Sequence, residues 1–188
     1  MTVKTDVSRF HVHDELTAPE GSDRMLKTIV ETGGSISKLI GVLAGAPRVL
    51  RAFAKMRSEL RNGVVPEQTQ ARIALAVAER RGDGYSVAQH ARTARSLGLG
   101  LDEISRARSF DSTDEREAHL LRLLGASIDG DGHPPLHLVE EAREADWTDE
   151  QILEALGLVA LNEFQSLIAN AGGLPVDQID AAKLPAAA

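Results

Sequence analysis

The sequence predicts an all-α fold, an expectation that rests on three observations. Apolar residues recur at helical spacing from Ser22 to the start of the C-terminal tail, and no stretch alternates at the period of a strand. Aromatic residues make up only 3% of the 188 residues, so the core must be built from Leu, Ala, Val and Ile, a mixture rich in helix formers. The apolar segments are separated by Gly, Pro and capping pairs of the kind that start and stop helices.

Residues 1–20 carry no clear period and read as an arm, which either packs on another subunit or is loosely ordered. The domain follows over 21–178, and 179–188 is a tail. "SDRMLKTIVETGG" places Leu26, Ile29 and Val30 on one face and stops at Gly33-Gly34. "SISKLIGVLAG" is a short apolar helix ending near Gly45. In "APRVLRAFAKMRSELRNG", Pro47 sits in the first turn and the apolar stripe is Val49, Leu50, Phe53, Met56 and Leu60. "PEQTQARIALAVAERRG" buries Ile73, Leu75, Ala76 and Val77 and stops at Gly82; "GYSVAQHARTARSLG" follows directly. After a shorter helix over "LDEISRARS", Ser112 and Glu115 have capping-box spacing ahead of the next one. Two prolines lead into "LHLVEEAREAD". The last helix has a second capping box, Thr148 with Gln151, and Trp147 and Ile152 at staple spacing. It is apolar nearly all round, which predicts burial inside the domain or inside an oligomer.

Composition narrows function. A net charge of −7 argues against a nucleic-acid partner, because phosphate binding wants a basic surface. The longest candidate span, "LIGVLAGAP", is far short of the roughly 20 apolar residues that cross a bilayer, and the N-terminus shows no secretory h-region. No membrane partner is expected, and a cytoplasmic protein is the default expectation. There is no cysteine, so the chain has no disulfide, thiolate metal site or thiol nucleophile. In "DGDGHPPLH", Asp129, Asp131 and Glu140 have the outline of a calcium loop, but Pro134 stands where glycine is required. Pro134 and Pro135 also separate His133 from His137, so no metal site is expected.

The stretch "ARIALAVAERRGDGYSVAQHARTARSLGLGLDEI" resembles the core of the carboxymuconolactone decarboxylase family, which includes the AhpD-like alkylhydroperoxidases. In that family an Ala/Leu/Val-rich helix meets a break, and the next helix opens with C-x-x-C and carries a histidine four residues after the second cysteine. Gly82, Tyr85, His90, Ala91, Gly98, Leu99, Glu103 and Ile104 fit that order. "LTAPEGSDRML" and "ILEALGLVALNEFQSLIANAGGLPVD" are similar to the terminal segments of peroxidase-related members. The resemblance implies an AhpD-like helical domain, an oligomer (dimer, trimer or hexamer) and no cofactor.

Departures from the family pattern decide the chemistry. Asp83 and Ser86 stand at the two cysteine positions, and the acidic residue of the preceding helix would fall at Ala71. Peroxide reduction in the family needs a thiolate at a helix start and a second thiol to close a disulfide. An aspartate and a serine form no disulfide, and a helix dipole worth around 1 kcal/mol does not ionise a serine hydroxyl. His90 is what remains. It is a candidate acid/base group, with Asp83, Tyr85 and Ser86 as candidate substrate contacts and Arg80 or Arg92 as candidate holders of an anionic small-molecule substrate. Plainer roles stand beside these: Asp83 as N-cap, Tyr85 as a packing residue, the arginines as surface charge. Arg57 and Arg61, with Arg48, Arg51 and Lys55, read as a basic stripe facing solvent or another subunit. Two functions stay open: a cofactor-free, decarboxylase-like acid/base enzyme using His90, or a non-catalytic binding or scaffold protein.

Overall fold

The computed structural model describes residues 8–129 and 132–176; the 179–188 tail and Asp131 of the rejected calcium outline lie outside them. Among the described residues nine helices form and no strand does: α1 (Asp23–Glu31), α2 (Lys38–Ala44), α3 (Pro47–Arg61), α4 (Glu67–Arg80), α5 (Gly84–Ser96), α6 (Leu101–Ala107), α7 (Glu115–Asp129), α8 (Leu136–Glu144) and α9 (Asp149–Gly172). Helix α4 is buried without interruption from Ala71 to Ala78. Its run of small residues lets helices approach on more than one side, so α4 touches α5, α6 and α9.

Three apolar clusters share α4 and α9 between them. Ile73, Ala76 and Val77 of α4 pack with Leu120, Leu121 and Leu124 of α7, Trp147, and Ile152, Ala155 and Leu158 of α9. Leu26, Leu39, Leu43, Leu50 and Phe53 from α1 to α3 pack on Leu161 and Ala169 of α9 and on Tyr85. Ala71 and Leu75 meet Ala94 of α5, Leu99 of the turn that follows it, and Ile104 and Ala107 of α6. Trp147 and Ile152 fall in one cluster, and the Thr148–Gln151 capping box forms as its spacing predicts. Helix α9 is long and apolar enough to cross a membrane by length and composition, yet it packs on α2, α3, α4, α5 and α7 as a core helix.

Several local expectations change in the fold. Val30, Val49 and Met56 are exposed, so α1 and α3 bury narrower stripes than their sequences suggest. Leu153 and Leu167 leave part of α9 exposed as well. The described part of the N-terminal arm folds back on its own chain: Arg9 N donates to Gly172 O at 2.7 Å and His13 N to Gly41 O at 3.1 Å. Gly41 is required there, since a Cβ at that position would lie 2.6 Å from Val12 Cγ1 and 2.7 Å from the His13 carbonyl oxygen.

The second correction concerns the start of α7. Ser112 does not form a capping box with Glu115; Asp114 Oδ1 accepts the Glu117 amide instead, at 3.2 Å. The Ser112 hydroxyl is drawn inward and donates to Glu103 Oε1 at 2.5 Å. Glu103 also accepts from Arg72 Nε at 2.5 Å and from the amide and hydroxyl of Thr113 at 2.8 and 2.5 Å. Burial alone would raise this carboxyl. The bonds from Arg72, Ser112 and Thr113 outweigh burial and bring it down to about 2. Glu117 sits on the far side of Arg72 at 3.8 Å and accepts from Thr69 at 2.7 Å. There burial wins and its carboxyl is raised, in keeping with the long approach to Arg72 and an Oε2 that has no hydrogen-bond partner among the described residues. This buried group ties α4 to α6 and α7, behind the α4 face that forms the site.

Candidate active site

Asp83 is fixed twice by backbone geometry. Gly82 adopts φ +61°, a left-handed turn that favours glycine, and the Gly82 and Asp83 amides donate back to the Glu79 and Ala78 carbonyls at 2.9 Å each. This double bond closes α4. The same Asp83 then caps α5, its Oδ1 accepting the Ser86 amide at 3.0 Å. One residue thus ends one helix and begins the next. Asp83 is 1% exposed, and its buried Oδ2 has no hydrogen-bond partner among the described residues.

From Asp83, Ser86 and His90 follow at three and seven residues, along one face of α5. Ser86 is buried; it reaches Asp83 through its amide, and its hydroxyl makes no hydrogen bond to His90. Seven residues of helix rise about 10 Å, so Asp83 acts on His90 through space rather than by contact. Tyr85 lies on a different face. It is 3% exposed, belongs to the α1–α3 cluster and accepts the Leu39 amide on its hydroxyl at 3.5 Å.

His90 opens onto a cavity of about 430 Å³ built by one stripe from each of four helices. Glu67, Gln70, Ala71 and Ala74 come from α4; His90 and Thr93 from α5; Leu158, Leu161, Asn162 and Gln165 from α9; Arg57 and Arg61 from α3. Each set repeats at three or four residues, the spacing of a single helix face. Ala71, where the family pattern has an acidic residue, lies in the wall, and Glu67 is one turn away on the same face.

The half-buried His90 ring makes no hydrogen bond with any described residue. Burial lowers its proton affinity, the nearby Asp83 charge raises it, and Arg57 lowers it again; the net value is about 4. At neutral pH the empty site therefore holds a neutral imidazole, able to accept a hydrogen bond at one nitrogen and donate at the other. Arg57 is lowered by burial and then by Arg61.

The guanidiniums that reach the cavity are thus Arg57 and Arg61. Arg80 turns away to pair with Asp129, and Arg92 is exposed outside the cavity wall. Sequence reading assigned Arg57 and Arg61 to a basic stripe facing solvent or another subunit, and it had no means of pairing Asn162 and Gln165 with His90. Their signal was present only as helical spacing, since which stripe of α3 or α9 faces α5 depends on tertiary packing. No cluster of three or more His, Asp or Glu suited to a metal occurs among the described residues.

An all-helical frame in which a helix pair meets at Gly82-Asp83 and presents a histidine to a cavity defines the AhpD-like class of fold. The sequence model of the carboxymuconolactone decarboxylase family matches residues 47–126 of the chain. No curated protein matches the sequence. Among solved structures, the AhpD core of a peroxidase-related protein from Ralstonia eutropha JMP134 superposes with a TM-score of 0.77 at 18% identity, over 92% of this chain and 93% of that one. A peroxidase-related protein from Silicibacter sp. TM1040 gives 0.76 at 16% identity, over 92% and 93%. The debrominase Bmp8, solved as a cysteine-to-alanine variant with 2,3,4-tribromopyrrole, gives 0.66 at 18% identity, over 87% and 86%. At these identities the likeness is one of fold.

Proposed function

We propose that the protein is a cofactor-free acid/base enzyme of lyase type, acting on a small substrate in the His90 cavity. The observation that carries this reading is a histidine ring with no hydrogen-bond partner among the described residues, opening on a 430 Å³ cavity of mixed polar and apolar lining in a chain without cysteine. Thiol-based peroxide reduction has no thiol to run on here. An open, partly polar cavity also speaks against a site that has decayed into a scaffold. The debrominase shares the fold and holds a small planar ring, a size that suits a cavity of this volume.

In a decarboxylation the carbon–carbon bond to the carboxylate breaks, carbon dioxide leaves, and its bonding pair remains on the substrate as an enolate. One proton must then reach carbon. His90 delivers it as imidazolium and is reprotonated from solvent. Arg57 and Arg61 face the developing negative charge, and Asp83 favours the imidazolium through space. Asn162 and Gln165 are held by their own bonds, Asn162 to Leu158 O at 2.8 Å and Gln165 to Asn162 at 2.9 Å, so they present a fixed polar wall.

The test is turnover of a panel of lactones and β-keto acids by wild type and His90→Ala. Positioned acid/base groups contribute about 10²- to 10⁴-fold, so a drop of that size is expected. A wild type that is inert on the panel, or a variant that matches it, removes the reading.

A further inference from the structure

His90 chemistry alone does not require the charge arrangement on the opposite wall. Arg57 and Arg61 lie one turn apart on α3, and both line the cavity. Neither guanidinium makes a hydrogen bond or ion pair with a described residue. Arg81, Arg108 and Arg80 are by contrast paired, with Glu163, Glu79 and Asp129, and Arg92 and Arg95 of α5, unpaired among the described residues, are exposed outside the cavity wall. Glu67 shares the cavity but pairs with neither Arg57 nor Arg61. Like charges one turn apart on a helix repel, and the repulsion is felt at Arg57. Two uncompensated guanidiniums beside Ala71, Ala74, Leu158 and Leu161 make a wall suited to a compact organic anion, its head on the cations and its body on the apolar side chains.

The same pair acts on His90. The charged groups facing this ring are Asp83 from its own helix, Arg57 and Arg61 from α3 and Glu67 from α4; α9 contributes only the neutral Asn162 and Gln165. Arg57 opposes protonation of the ring and Asp83 supports it. An anion seated on the arginines cancels the opposing charge and leaves the supporting one in place.

We propose that Arg57 and Arg61 form an anion-binding pair that couples the seating of a small carboxylate to uptake of one proton at His90. The inference uses the cavity of the proposed function but not its catalysis. The coupling supplies the imidazolium only once the substrate has arrived. By linkage, affinity for the anion rises as pH falls, by about tenfold for each unit by which the bound anion raises the His90 value.

The experiment is calorimetric titration of the full chain with benzoate between pH 5 and 7.5, in buffers of different ionisation enthalpy, with His90 followed by NMR. Expected are saturable binding, a His90 titration moved up by about two units or more, and proton uptake that therefore approaches one per site at the acid end. Benzamide, the neutral isostere, binds more weakly and takes up no proton. Arg57→Gln and Arg61→Gln, both at exposed positions, remain folded and weaken benzoate by about tenfold or more. His90→Gln still binds benzoate but without proton uptake. Benzoate binding without uptake, unchanged affinity in the Arg57→Gln/Arg61→Gln double variant, or equal behaviour of benzamide would overturn the proposal. Tighter binding of inorganic phosphate than of benzoate would overturn the assignment to a carboxylate. Loss of the catalytic reading shows as turnover indifferent to His90→Ala and leaves these binding results standing.

Discussion

Replacing Glu103 by Gln tests the buried cluster behind the active-site helix. The carboxylate is 7% exposed and accepts bonds from Arg72, Ser112 and Thr113. Its fall from 4.5 to about 2 corresponds to about 3 kcal/mol of stability at neutral pH, at about 1.4 kcal/mol per unit. The folded value is depressed, so this stability is fully present above 4.5 and is lost as pH falls towards 2. Glutamine keeps one acceptor for Arg72 but turns an amide donor on the Thr113 amide, and it removes the charge that compensates Arg72. The variant should lose about 3 kcal/mol at pH 7, or roughly 6–12 °C in Tm for a chain of this size. The gap to wild type should narrow to about half as pH is lowered from 5 to 3. Urea unfolding is followed by circular dichroism and by fluorescence of the sole tryptophan, Trp147, which is 2% exposed. A loss below about 1 kcal/mol at pH 7, or a gap that stays constant with pH, would refute the accounting.

Other outcomes follow from the same geometry. Asp83→Ser keeps an N-cap but removes the charge: stability should change by less than about 1 kcal/mol, while the His90 titration moves below about 4, read by NMR. An unmoved His90 would show that Asp83 does not act on it. For the proposed reaction, kcat/KM should fall with rising pH above about 4, where the free His90 loses its proton, while kcat persists to higher pH; a profile that rises with pH contradicts the proton-donor role. Gly41→Ala should cost about 1–3 kcal/mol and expose residues 8–20 to protease, because the new methyl displaces Val12 and His13; unchanged cleavage would mean the arm is not held there.

What the sequence made legible was local. The Asp83 cap, the Thr148–Gln151 box and the Gly82 break each depend on residues within four positions of one another, and all three form. The start of α7 was misread because a buried carboxylate nine residues back, Glu103, outbids the helix for the Ser112 hydroxyl. The candidate site divides in the same way. His90 could be found from its place after the helix start. Arg57 and Arg61 could not, since a basic stripe looks the same whether it meets water or a cavity. Arg80 and Arg92 are near His90 in sequence, but α4 and α5 turn them to other sides of the hairpin. Tyr85 is one residue from Ser86 and faces the opposite cluster.

The Asp83 cap has a consequence for what this frame can host. A helix start exposes amides that would otherwise attract a negative group, such as a thiolate or a ligand oxyanion. Here the protein's own carboxylate occupies that position, buried and tied to the Ser86 amide. The attraction is spent within the molecule, so an incoming anion has little reason to approach His90 from the α5 end. The welcome has moved to the far wall, on α3, where the arginines are. The polarity of the pocket is therefore reversed relative to a thiol site: the negative pole is permanent and internal, and the positive pole waits for its counterpart from solution.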